Sequence, residues 1–206
     1  MGFGEGFGVG FGEGFGDGFG VGFGVGFGDG FGVGFGVGFG EYTVECDVYT
    51  GSVEIRILRD NKEMSVGEKR NKLIHMAKGE YFSFIDDDDL VSEEYVDQVL
   101  RKIRKNPDVV TFWGYRFHNG KKDRRVNYDV KFKQDLNPPQ EYQRMPNHLC
   151  VWRKSLAVEF KDISYGEDAE WASRMLGDWV QEKIDKILYL YYFNSSTTET
   201  QKEFYK

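Results

Sequence analysis

Residues 80–89, Glu-Tyr-Phe-Ser-Phe-Ile-Asp-Asp-Asp-Asp, constrain the fold more than any other stretch of the chain. Tyr81 to Ile85 is a run of aromatic and β-branched residues bounded by Gly79 and Asp86, the pattern of a short buried strand. Four consecutive carboxylates then stand at its carboxyl end. Adjacent aspartates repel and raise each other's pKa, so the cluster is costly unless a cation neutralises it. Oxygen ligands at this density suit Mg²⁺, Mn²⁺ or Ca²⁺. For an isolated acidic run, a solvated turn before the next helix is the plain alternative. In an open parallel α/β sheet, however, ligands bind outside the carboxyl ends of the strands, where these aspartates fall. An EF-hand loop is excluded, because Leu90 breaks the ligand pattern and position 91 is not glycine.

Residues 2–40 repeat Gly-Phe-Gly-x, with x drawn from Glu, Val and Asp, and hold 20 of the 27 glycines and 10 of the 18 phenylalanines. Glycine at every second position leaves little to pack and opposes fixed structure entropically. Residues 1–40 are therefore expected to be disordered, and residues 41–206 to form one domain. Two other readings of the repeat stay open: its phenylalanines mediate self-association, or one Gly-Phe-Gly-Val segment serves as a strand. Glu5, Glu13, Asp17 and Asp29 carry four units of the net charge of −7, leaving −3 on the remainder. No basic stripe points to nucleic acid, and Lys121-Lys122 with Arg124-Arg125 reads as a solvated hairpin. Cys46 and Cys150 have no metal spacing and make at most one disulfide. With neither a membrane-length apolar run nor a signal-peptide pattern, a soluble cytoplasmic protein is the expectation.

Along the chain, Val53–Leu58 alternates as a strand and leads to Arg59-Asp60-Asn61. Ser65-Val-Gly-Glu68 fits a capping box for a helix ending near Ala77 and Gly79. Arg70, four after Val66 and four before Ile74, shares that helix's apolar face and needs an anion: a diphosphate at the helix N-terminus, or one of Asp86 to Asp89. Ser92 is expected to cap a second helix ending at Asn106-Pro107. Val109–Phe117, the turn His118-Asn-Gly120 and the alternating residues Val126, Tyr128, Val130 and Phe132 read as a hairpin. Met145–Arg153 reads as a strand entering a short helix. Within it, His148 is either a site residue or an ordinary packed histidine. A third helix begins at Gly166-Glu167-Asp168 and stops at Gly177. Asp168, three before Trp171 and four before Ala172, is expected on its inward face, where a carboxylate needs work or a partner. Ile187–Phe193 is the final strand.

Four pieces in this order carry a resemblance: Gly67-Glu-Lys-Arg-Asn71, Ala77-Lys-Gly-Glu-Tyr81, Phe84-Ile-Asp-Asp-Asp-Asp89, and Gly166-Glu-Asp168 with Trp171 and Arg174. Together they resemble a family 2 glycosyltransferase of the GT-A fold over residues 53 to about 195. The usual first strand and helix are replaced by the Gly-Phe repeat. The resemblance implies a Rossmann-like α/β fold with a mixed, mostly parallel sheet flanked by helices and incomplete at its N-terminus. It also implies inverting transfer of a sugar from a nucleotide diphosphate donor, a UDP-sugar foremost, to an acceptor hydroxyl. On that reading Asp86 and Asp88 hold Mn²⁺ or Mg²⁺. Asp60, Arg70, Asp86, Asp87 and His148 contact the nucleotide sugar, Asp60 at the base unless it merely caps a turn. Asp168 is the general base. The Gln-x-x-Arg-Trp pattern of processive synthases is absent, which implies one sugar per encounter. The alternative is a catalytically impaired GT-A-like domain that binds or assembles through its Phe-rich repeat.

Overall fold

The computed structural model describes residues 21–27, 42–46, 53–60 and 63–194. Ten strands and three α-helices occur among them: β1 (Val21–Phe27), β2 (Tyr42–Cys46), β3 (Val53–Asp60), α1 (Val66–Met76), β4 (Tyr81–Asp86), β5 (Leu90–Val91), α2 (Tyr95–Ile103), β6 (Val109–His118), β7 (Lys121–Tyr128), β8 (Glu141–Arg144), β9 (Val151–Arg153), α3 (Glu167–Arg174) and β10 (Gln181–Phe193). The strands form one sheet in the order β2-β3-β1-β4-β9-β6-β10-β5, with β7 and β8 branching from β6.

β3 and β4 are both antiparallel to β1, β9 is antiparallel to both β4 and β6, and β10 is parallel to β6. It follows that β3, β4, β6 and β10 all point the same way and present their carboxyl ends along one edge of the sheet. Asp60 and Asp86 close β3 and β4 at that edge. The sheet is mixed, but β1 and β9 lie between parallel members, so most of its pairings are antiparallel.

β1 lies inside the repeat. Where the sequence reading favours disorder for residues 1–40, Val21–Phe27 is a strand filling the centre of the sheet between β3 and β4. The rest of that expectation falls on residues outside those described. Gly22, Gly24 and Gly26 stand in register with Asp86, Phe84 and Phe82. A glycine on that face adds no Cβ, and α1 rests over it, with Arg70 above the Phe84 ring. The repeat's poverty in side chains thus suits a strand lying beneath a helix.

The core on this face is aromatic. Phe82 meets Trp171 edge-on, Phe84 meets Phe160 likewise, and Phe160 stacks on Trp171 with centroids 4.9 Å apart. On the opposite side of the sheet, Tyr95 of α2 packs on Phe112, and its hydroxyl meets Ser83 at 2.8 Å. Cys150 is a free thiol there, and burial pushes its pKa up to about 12. The helix at 66 starts as expected, with the Ser65 hydroxyl accepting from Glu68 N. α2 begins at Tyr95 rather than at Ser92, whose carbonyl accepts the Tyr95 N–H. Asn119 and Gly120 both take positive φ, the backbone of a type I′ hairpin turn. β10 begins six residues before the expected Ile187 and absorbs two irregularities against β6.

Candidate active site

The α1 motif docks one helix onto another. Gly67 N donates to Ile163 O at 3.1 Å, and a Cβ on Gly67 would lie 1.8 Å from the Lys161 carbonyl oxygen, so only glycine lets α1 approach this segment. Asn71 clamps the start of the same segment through the backbone of one residue: its Nδ2 donates to Phe160 O at 2.9 Å, and its Oδ1 accepts from Phe160 N at 2.7 Å. Residues 160–166 lead directly into α3, so this docking fixes where Glu167 and Asp168 stand relative to β4.

Arg70 occupies the space between. Its guanidinium lies over the rings of Phe84 and Phe160, at 5.0 and 5.8 Å, and Nη2 reaches Asp86 Oδ1 at 3.0 Å and Glu167 Oε1 at 3.3 Å. Only 7% of the side chain is exposed. Of the two anions weighed for Arg70, the structure therefore supplies the protein carboxylate. Nε and Nη1 are buried without a hydrogen-bond partner among the described residues, so donors remain for a further anion.

The four aspartates divide by environment. Asp86 takes Arg70 on Oδ1 and His148 Nε2 on Oδ2 at 3.3 Å. Burial alone would raise its pKa, but Arg70 and His148 outweigh that and hold it well below the ordinary carboxylate range. Asp89 turns inward: it accepts from the Tyr189 hydroxyl and from Tyr192 N, each at 2.7 Å, while the same hydroxyl accepts from Asp86 N at 3.1 Å. Burial pushes Asp89 up to about 8. It is thereby committed to tying the turn after β4 to β10. Asp87 and Asp88 point outward. Desolvation, reinforced by Asp86 and Asp87, pushes Asp88 up to about 6, so an added cation beside this outward carboxylate would relieve it.

His148 is buried beside Asp86, with Nδ1 lacking a hydrogen-bond partner among the described residues, and its carbonyl accepts from Phe84 N. Asp60 lies at the end of β3 with its side chain fully buried, accepting from Met64 N at 2.9 Å and pairing with Lys69 at 2.5 Å. That is the geometry of the turn-capping alternative. At the start of α3, Glu167 takes the buried place next to Arg70 and Asp168 is only half-buried. Burial raises the Glu167 pKa, opposed by Arg70.

The sequence reading missed Glu167, whose spacing of four to the buried Trp171 was as good a signal as that of Asp168 to Ala172. It also missed Lys69 as the partner of Asp60. Nothing in the local pattern marked Tyr189, because the contact spans a hundred residues. Among the described residues no cluster of three or more His, Cys, Asp or Glu side chains is arranged to hold a metal ion, and no helix is long and apolar enough to cross a membrane.

A sheet edge that gathers Asp86–Asp89, Arg70, His148 and Glu167-Asp168 at the carboxyl ends of parallel strands defines an α/β protein with its charged side chains collected where this architecture usually binds ligands. Residues 46–159, more than half of the chain, match the family model Glycosyl transferase family 2, and the chain belongs to that family. The fold is accordingly GT-A. The match includes Arg70, the acidic run and His148 and ends before Glu167-Asp168. No curated protein matches the chain.

Proposed function

We propose that the chain is a metal-dependent, inverting and non-processive glycosyltransferase that moves a sugar from a nucleoside diphosphate to an acceptor hydroxyl. Family membership supports glycosyl transfer in general. The observation that carries the finer reading is the pairing of an outward Asp88, whose charge is disfavoured, with a buried Arg70 whose Nε and Nη1 have no hydrogen-bond partner among the described residues. A cation and the diphosphate it accompanies satisfy both halves at once.

The residues present fit Mn²⁺ or Mg²⁺ in the form such ions take with phosphate substrates, where one or two carboxylates suffice and phosphate and water supply the rest. Asp88 would hold the ion, with Asp86 contributing through lone pairs that Arg70 and His148 leave unused. When bound, the ion supplies charge neutralisation on the departing diphosphate.

This chain's own residues do the remaining work. Arg70 keeps Asp86 ionised and sets the distance between β4 and α3. Its spare N–H groups favour negative charge as it develops on the leaving group, and His148 holds Asp86 in place beside them. Asp168, half-exposed where α3 begins, takes the acceptor hydroxyl proton on a carboxylate oxygen as that hydroxyl attacks the anomeric carbon from the face opposite the diphosphate. Opposite faces mean inversion. Asp87 contacts the nucleotide sugar, and Asp60 acts on the donor side only through the turn it holds with Met64 N and Lys69. Following sugar transfer or donor hydrolysis over a panel of nucleotide sugars, UDP-sugars first, with Mn²⁺ or EDTA, tests the reading. Metal-dependent turnover of one donor is expected, and metal-independent turnover would overturn the cation's role.

A further inference from the structure

We propose that one face of β5, β10, β6 and β7 docks the protein onto an anionic lipid surface. Residues that stand opposite one another in a ladder share a face. Leu90 stands opposite Leu190, Leu190 opposite Tyr115, Ile187 opposite Trp113 and Tyr192 opposite Phe117. Across the β6–β7 hairpin, Tyr115 stands opposite Arg125 and Phe117 opposite Lys122. The side-chain contacts agree: Phe117 stacks on Tyr192 with centroids 4.7 Å apart and tilts against Tyr115 at 5.6 Å. Arg125 lies 4.7 Å from the Trp113 ring, and Lys122 5.8 Å from that of Tyr115. The described helices pack elsewhere. α2 lies on the opposite face, with Tyr95 on Phe112, and α3 sets Trp171 against Phe82 and Trp152. Leu90 and Ile187 are 42% and 39% exposed, and the four rings are half-buried.

Across the strands this face is graded. β5 and β10 supply the aliphatic side chains, β6 the aromatic row and β7 the cations. Lys122 and Arg125 are exposed and have no carboxylate within ion-pair distance among the described residues, and the same holds for Lys121 at the hairpin tip. In a chain of net charge −7, these cations stand open to an anionic partner. A bilayer surface has the same gradation: hydrocarbon, then the level where aromatic rings settle, then anionic headgroups that attract Lys and Arg. Stacked nucleic-acid bases fit less well, because the rings already carry cations or one another. Lys183 also lies 5.2 Å from the Trp113 ring. A second copy of the same face would offer the cations only Asp185, whose carboxylate already accepts from Trp113 Nε1 at 3.0 Å.

Flotation of the full-length protein with vesicles of phosphatidylcholine alone, and of phosphatidylcholine mixed with phosphatidylglycerol, tests this. Binding to the mixed vesicles is expected, weakening as salt is raised, with little binding to the neutral ones. Lys122→Glu with Arg125→Glu should weaken it by about tenfold or more, and Ile187→Ser should weaken it as well, all with melting temperatures near that of the unaltered chain. Arg101→Glu with Arg104→Glu makes the same change of net charge at α2, on the opposite face, and should leave binding as it was. Equal binding to the two kinds of vesicle, binding that survives the reversal on β7, or an equal loss from the reversal at α2 would overturn the proposal. A dimer in solution that Ile187→Ser abolishes would assign the face to a second copy and overturn it too. If the reversed pair on β7 does not fold, Lys122→Gln with Arg125→Gln decides by the same criteria.

Discussion

Arg70→Met keeps the length and apolar stem of the side chain and deletes the guanidinium that separates Asp86 from Glu167. In the protein Arg70 pairs with them at 3.0 and 3.3 Å, and the Glu167 side chain is 8% exposed. Removing one partner of a buried pair costs about 3–5 kcal/mol. Asp86 is 30% exposed and keeps His148, which places the expected loss at the lower end, about 3 kcal/mol, including about 1 kcal/mol of lost cation–π contact with Phe84 and Phe160. The melting temperature should fall by roughly 10 °C.

The loss should depend on pH with a definite sign. Without Arg70, Glu167 rises further above its ordinary value of 4.5. A carboxylate whose folded pKa is raised favours the fold below its unfolded pKa and loses that contribution as pH rises through the folded value. Wild-type Asp86, by contrast, is held low and contributes stability throughout the range above 3.8. Urea midpoints at pH 5 and pH 8 should therefore show a larger deficit at pH 8, and Glu167→Gln in the Arg70→Met background should recover part of it. A deficit under about 1 kcal/mol, or one equal at the two pH values, would refute the idea that Arg70 is held by charge rather than by packing.

Asp168→Asn should keep nucleotide affinity and lose transfer by about 10²–10⁴-fold, measured as kcat with Kd followed separately. Equal loss of both would make Asp168 structural. Mn²⁺ affinity, followed by calorimetry with nucleotide present, should fall as pH falls through about 6, because Asp88 must release its proton to bind the ion; a flat profile would remove Asp88 from the ligand set. Gly67→Ala should destabilise by about 1–3 kcal/mol in thermal melts, since its Cβ meets the Lys161 carbonyl and must move the segment that leads into α3.

What the sequence made legible was local. The apolar run before the acidic cluster is β4, the Ser65 cap starts α1, and Asn119-Gly120 turns the β6–β7 hairpin, each through chemistry within a few residues. The order of motifs was enough to place Arg70 beside the acidic run. Less legible was whatever depends on distant partners. Asp86 to Asp89 are alike in sequence, and only Arg70, His148 and Tyr189 make one an ion-pair acceptor and another a buried tie. The inward turn of α3 was read one residue late, because an eight-residue helix offers too few apolar positions to fix its phase. β1 was hidden because its repeat units are nearly interchangeable, so no unit announces which one the sheet selects.

Calorimetric titration of UDP into the full-length protein, with and without Mn²⁺, and into Asp88→Asn is the most direct test of a cation-dependent donor site at the carboxyl end of β4. Binding that requires Mn²⁺ and is lost in Asp88→Asn, with the variant melting at or slightly above the wild-type temperature, is the predicted result. Nucleotide binding that is indifferent to the metal, or unchanged in Asp88→Asn, would contradict it.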